Sequence, residues 1–212
     1  DSSTSRGLGD VYKRQVFFLA RILGALYFIN NIDDKDLVAR SRRSLIGNSV
    51  LFLVFFLSFV IRTLLADGYA VNPETGEIFM EPYKYLTNFI EMPVVLVLFL
   101  IGVVLVLFGI GKSLLKPKFD KGIWFTGIGT VLTVLALLLV AGYNNTAYYP
   151  STSDLQSSLT LANSCSSEFT LRVMFYVSFL VPFVLAYIFY AWRSIDIHKI
   201  NEKEMKDGGH SY

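Results

Sequence analysis

What most restricts the fold of this chain is the gathering of its apolar residues into long blocks. VLFLVFFLSFV, VVLVLFLIGVVLVLFGI and YVSFLVPFVLAYIFYAW are runs almost free of charge. A soluble core of similar size spreads its apolar positions at a period of 2 or 3.6. Runs of about 18 or more residues with few charges read instead as membrane spans, because about 20 helical residues cross the hydrocarbon layer. The expected fold class is therefore an all-α polytopic transmembrane helical bundle. It has four full spans, at 45–65, 93–111, 122–141 and 173–192, and one truncated N-terminal span at 16–32. The transmembrane domain covers 16–192, and a charged tail covers 193–212.

Residues 1–15, DSSTSRGLGDVYKRQ, do not match the rest of the chain. They are polar, lack Met at the start, and run directly into the apolar block at Val16. They have no apolar centre of a signal peptide. The string RGLGDVYKRQ is similar to translated adapter sequence, so this stretch is set apart as a non-native or disordered tail. On that reading the first span lacks its beginning. Arg21 interrupts it and is expected to face other helices or a watery cavity rather than lipid. It either packs against a carbonyl or carboxylate, or lines a proton or quinone path.

Polar segments separate the blocks. Asp33–Ser44 is a charged connector, and Lys112–Lys121 is a short basic turn. Between them, 67–92 carries Asp67, Glu74, Glu77, Glu81 and Glu91 against one lysine, Lys84. Pro73, Gly76 and Pro82 mark turns there, and Pro82–Ile90 suits a short interfacial helix. Pro93 fits the first turn of the third span. Gly102, Gly109 and Gly111 let another backbone approach that span. Pro182, inside the last span, is expected to kink it and free a carbonyl.

The basic residues alternate by side. The 33–44 connector, the 112–121 turn and the C-terminal tail carry four Lys or Arg each, whereas the other two loops carry Lys84 and Arg172. By the positive-inside rule, the basic loops and the C-terminus lie in the cytoplasm. Loops 67–92 and 142–172 then face outward, toward the periplasm in a bacterium.

The longest polar stretch, Gly142–Arg172, lies between the last two spans. Its hydroxyls, from Ser151 to Ser167, suit helix caps and local backbone bonds. Ser166–Thr170 looks like a helix start with Glu168 near the positive end. A serine nucleophile needs a neighbouring base, and the chain's two histidines, His198 and His210, both lie in the tail. Asn144–Asn145–Thr146 matches a glycosylation sequon, a pattern common by chance. The stretch is expected to fold as a lid over helix ends. Asp67, Glu91, Asp154 and Glu168 share its side and read as solvated or capping carboxylates. The single cysteine, Cys165, builds no disulfide framework or metal cluster. No catalytic, cofactor-binding or metal-binding residue is assigned to this chain.

Within that stretch, Pro150–Ser151, Ser158–Leu159–Thr160, Ser166–Ser167 and Thr170–Leu171 stand in the order seen in the last outer loop of a known family. Asp67–Gly68–Tyr69, Asn88–Phe89 followed by Pro93, and Gly102–Val103–Val104–Leu105 agree with it as well. From about Val16 onward the chain resembles subunit II of the cytochrome bd ubiquinol oxidase. It departs in lacking the family's N-terminal half. It also has Ser164–Cys165 where a small Ala-Ser or Ala-Thr pair is usual. The resemblance implies a subunit of a terminal oxidase that oxidises quinol and reduces oxygen to water. It implies that haems b and d belong to the partner, subunit I, with none held by this chain. Expected surroundings are the bacterial inner membrane, lipid, and quinol and oxygen at the level of the complex, with no nucleic acid. The alternatives are a fragment of a secondary transporter, whose paired helix breaks and polar midplane site are wanting here, and a structural membrane scaffold subunit.

Overall fold

The computed structural model describes residues 2–195, and side chains from 13 to 194. Helix α1 (Ser2–Asn31) turns back through Asp33–Asp34 into α2 (Lys35–Leu65). A two-stranded hairpin comes next, β1 (Gly68–Val71) paired antiparallel with β2 (Ile78–Glu81), Gly68 opposite Glu81. Then come the short helix α3 (Lys84–Glu91), α4 (Pro93–Leu115) and α5 (Gly122–Gly142). The long loop holds a 3-10 turn at Leu155–Ser157 and one helical turn, α6 (Leu161–Ser164). Helices α7 (Glu168–Ser178) and α8 (Val181–Ile195) end the described chain. Among the described residues, four helical segments are long and apolar enough to cross a membrane: Lys35–Leu65, Pro93–Leu115, Gly122–Gly142 and Glu168–Ser194.

Several boundaries move from their expected places. The second helix starts at Lys35 rather than 45, so most of the charged connector is helical. Asp34 caps it, its carboxylate accepting the Leu37 N–H at 2.8 Å, and Asp36 lies in the positive first turn. The charges mark where the apolar span ends and leave the helix intact. Helix α1 likewise runs through 2–15 without a break. Lys13 and Arg14 consequently border a hollow with Leu51 and Phe55, deep in the α2 span, where Arg14 stands 5.9 Å from the Phe55 ring centre. The last helix begins at Glu168, within the expected helix start at Ser166–Thr170 and ahead of the expected span at 173, and the Ser167 hydroxyl accepts the Thr170 N–H. It breaks at Phe179–Leu180, just before Pro182, which has no N–H for the carbonyl one turn back. Residues 196–212, most of the expected tail, lie outside the described residues.

The bundle core joins α1, α2 and α4 through Ile22, Leu26, Leu45, Phe52, Phe56 and Val106. Phe56 stacks on Phe99 at 6.4 Å. The α4–α5 pair is held by backbone approach. A Cβ on Gly102 would stand 2.7 Å from the Thr133 nitrogen, and one on Gly129 would stand 2.6 Å from the Gly102 carbonyl oxygen. Such small-residue contacts replace hydrophobic drive between helices in lipid. At the far end of α4, the Arg42 guanidinium donates to the Ser113 carbonyl and, at 2.7 Å, to that of Pro117. It thereby covers one carbonyl that the C-terminus of α4 leaves unpaired, that of Ser113, and one in the turn that follows. Of the three glycines expected to mediate contact in α4, Gly102 and Gly109 do, whereas Gly111 faces open space.

Candidate functional site

The two acidic or polar loops fold together into one cap at the end of the bundle opposite Arg42. Strand β1 gains a second partner from the long loop: the Val71 N–H donates to the Asn145 carbonyl at 2.8 Å, and the Ala147 N–H to the Tyr69 carbonyl at 2.9 Å. On the other edge, the Gln156 side chain imitates a strand. Its carbonyl oxygen accepts the Ile78 N–H at 3.0 Å, and its amide donates to the Ile78 carbonyl at 2.9 Å. Asn144 and Asn145 reach this geometry with φ of 55° and 52°, the left-handed region that asparagine tolerates best after glycine.

Asn88, on α3, is the hub beneath the cap. It is fully buried. Its amide donates to the Val140 carbonyl and to the Thr146 hydroxyl, both at 2.9 Å, and its oxygen accepts from Asn144 at 3.1 Å. Asn144 also donates to Glu91 at 2.5 Å. This network ties α3, the end of α5 and the long loop to one another. Lys84 is buried beside it, 3.1 Å from Glu81. Burial pushes the Tyr85 phenol above its ordinary pKa, and neighbouring Tyr69 adds to the shift.

The expected carboxylates all lie in or beside the cap, and most serve local structure. Glu91 binds Asn144. Asp154 accepts the Gln156 N–H at 3.3 Å and the Ser157 hydroxyl at 3.0 Å. Glu168 pairs with Arg172 at 2.5 Å on an exposed helix face. Asp67 is exposed. The loop hydroxyls are committed in the same way. Ser158 accepts the Ser151 N–H and donates to the Leu155 carbonyl, Thr160 and Asn163 form a capping box, and Ser164 accepts from Tyr148. Cys165 is exposed at the end of α6.

Within the bundle, a cavity of about 40 Å³ lies among α1, α2, α4 and α5, walled mainly by Leu19, Phe52, Phe56 and Val106. Its hydroxyls, Thr130 and Thr133, donate to carbonyls of their own helix at 2.8 Å. Its described lining includes no titratable side chain. Arg21 is exposed on this chain, beside the Phe17 ring. It lines a groove with Ser41 and Ser44 of α2. Among the described residues, no group of three or more His, Cys, Asp or Glu could hold a metal ion. His198 and His210 lie outside the described residues.

Sequence reasoning alone misses the β-hairpin, the Gln156 imitation of a strand, and the Asn88 hub. A signal for the hairpin exists in YAVNPETGEIFME, two short alternating runs around a Pro- and Gly-bearing turn. Asn88 carries no comparable signal beyond its place among the family landmarks.

A chain of this kind, with long apolar helices packed through glycines and a folded polar cap at one end, is an integral membrane protein of the polytopic α-helical class. The sequence family can be stated as well. The model of the cytochrome bd terminal oxidase subunit II family matches residues 14–195, and the chain belongs to that family. Over 156 residues it is 29% identical to cytochrome bd-I ubiquinol oxidase subunit 2 of Escherichia coli K12, and equally to that of Escherichia coli O157:H7. The matched region is 72% of this chain and 39% of the relative, so the chain spans about two fifths of the length of the curated relatives it matches.

Proposed function

We propose that this chain is part of subunit II of a membrane-bound quinol oxidase that reduces oxygen to water, and that it supports a haem-bearing subunit I and bears no redox centre itself. The observation that carries this reading is the family match over 14–195. Haems b and d belong to the partner on this reading and supply the electron chemistry. The residues of this chain do three things. The Gly102–Gly129 and Gly109–Gly122 contacts fix two spans as one rigid unit. The Asn88 network seals their end. The exposed last span is left free to face lipid or other helices of the complex. Coupling to the proton-motive force is a property of the whole complex.

The reading also places the chain in the bacterial inner membrane, with loops 67–92 and 142–172 outside and the basic loops and C-terminus in the cytoplasm, on the charge bias. Cys165 makes that orientation testable, since it is the one cysteine and is exposed. A membrane-impermeant maleimide should label it in intact spheroplasts; labelling only after lysis overturns the orientation. The function is tested on the full-length parent purified with its neighbours. A reduced-minus-oxidised spectrum should contain haem b and haem d bands, and a complex containing this chain without a haem d signal overturns the reading.

A further inference from the structure

We propose that the groove between α1 and α2 at the basic end of the bundle binds the headgroup phosphate of an anionic glycerophospholipid. The groove is about 360 Å³, and its lining includes Arg21, Gly24 and Phe28 from α1 with Arg40, Ser41 and Ser44 from α2. Ser44 immediately precedes the apolar run of α2, and Arg42, two residues after Arg40, reaches the C-terminal carbonyls of α4. The groove is therefore at the boundary where hydrocarbon gives way to headgroups, the depth at which a lipid phosphate sits.

Charge supports the same occupant. Among the described residues, neither guanidinium in the groove has a carboxylate partner. Arg21 stands beside the Phe17 ring, 5.6 Å from its centre, and Asp36, one helical turn before Arg40, makes no ion pair with it. The other charged groups of the hairpin differ in place or engagement: Arg42 is committed to carbonyls, while Asp33, Lys35 and Arg43 lie outside the groove. Two arginine forks match the oxygens of a phosphodiester better than a point charge does, and Ser41 and Ser44 offer hydroxyl donors at the same place. The described lining includes no acidic side chain to take the ammonium of a zwitterionic headgroup, which favours a lipid with net negative charge. Gly24 leaves open space where a side chain would stand, and Phe28 supplies an apolar wall for the glycerol and upper acyl chain. A free phosphate ion would gain nothing from that wall.

The test is native mass spectrometry of the full chain in mild detergent, titrated with short-chain phosphatidylglycerol or phosphatidylcholine. Basic residues near a membrane surface contribute about 1 kcal/mol each, so two arginines predict about thirty-fold tighter binding of phosphatidylglycerol. Substituting both Arg21→Ala and Arg40→Ala should abolish the preference, whereas Arg43→Ala should keep it. Gly24→Leu blocks the groove without altering charge and should weaken phosphatidylglycerol binding alone; it keeps the proposal testable where the double variant fails to fold. Equal binding of the two lipids by the unsubstituted chain overturns the proposal. Displacement of the lipid by millimolar inorganic phosphate would show a free-anion site and overturn it too, as would a co-purifying polypeptide that covers the groove.

Discussion

The α4–α5 pair and the last span have comparable apolar character and opposite packing. Mean hydropathy over the most apolar 18 residues is 3.2 for α4, 2.3 for α5 and 2.1 for the last span. Yet α4 and α5 meet backbone to backbone, while none of the most apolar stretch of Glu168–Ser194 is buried. The difference lies in residue size. Gly102, Gly109, Gly122 and Gly129 line one contact, whereas the last span carries Phe175, Tyr176, Phe179, Phe183, Tyr187, Phe189 and Tyr190. In lipid, apolarity places a helix in the bilayer but gives it no reason to prefer another helix to an acyl chain; close van der Waals approach does. Hydropathy thus says which segments span, and small residues say which spans pair.

The strongest way to break that contrast is to add atoms to the close pair. Gly129→Ala places a Cβ 2.6 Å from the Gly102 carbonyl oxygen and 2.7 Å from the Val106 nitrogen, both backbone atoms that cannot swing aside. The two helices must separate. We expect a loss above about 3 kcal/mol, at the upper end of overpacking costs, read as a fall in the unfolding midpoint in detergent. Gly127→Ala is the control, since nothing lies within 4 Å of that position. It should be neutral or slightly stabilising, because alanine is the better helix former. Equal behaviour of the two variants would mean the glycine contact does not hold α4 to α5.

Next in size is the seal above the pair. Asn88→Ala removes the partner of the Val140 carbonyl, the Thr146 hydroxyl and the Asn144 amide at a fully buried site. Unpaired buried polar groups cost about 1–3 kcal/mol each, and partial relaxation and water entry bring the expected loss to about 2 kcal/mol. Asn88→Ala should also release the cap first, seen as faster protease cleavage within 142–160 before the helices unfold. A global loss with no change in that cleavage would show that Asn88 acts only through α3.

The spans and the capping roles of the loop were legible because they follow from local rules. Apolar run length gives the span, and Ser167, Asp154 and Thr160 precede turns whose N–H groups need acceptors. What was not legible depends on distance. Asn88 meets Val140 and Thr146 from far along the chain, and Gln156 meets Ile78, pairings that local pattern does not encode. The start of α2 was hidden for another reason. Charge suggests the end of a helix, although it marks only the end of the membrane: Lys35–Ser44 is a solvated helical extension with its own cap. Arg42 belongs to the same lesson. Counted as one more basic residue for orientation, it proves to be the clamp on the end of α4. Arg42→Met should cost about 1.5 kcal/mol, the scale of a hydrogen bond to a charged group, read as a lower unfolding midpoint in detergent. Lysine should recover little of it, because a single ammonium cannot span the Ser113 and Pro117 carbonyls. Full rescue by Arg42→Lys would reduce the clamp to simple charge near a helix end.

The smallest expected effect is in the other half of the comparison. Phe183 is 73% exposed and Tyr187 is 72% exposed, and none of the most apolar stretch of their span is buried. In the detergent-solubilised chain, Phe183→Ala should therefore change stability by less than about 0.5 kcal/mol, as for substitutions away from packed features. Burying a phenylalanine in a core contributes several-fold more, and its truncation there costs about 3–5 kcal/mol. The same substitution in the full-length parent, assembled with its partners, is the informative measurement. If the last span faces lipid in the complex, Phe183→Ala remains near neutral there. If another helix packs on it, the loss rises toward the core value while the loss in the isolated chain stays small. That rise would locate a helix contact on α8, whereas near-neutrality in both settings would assign this aromatic face to lipid.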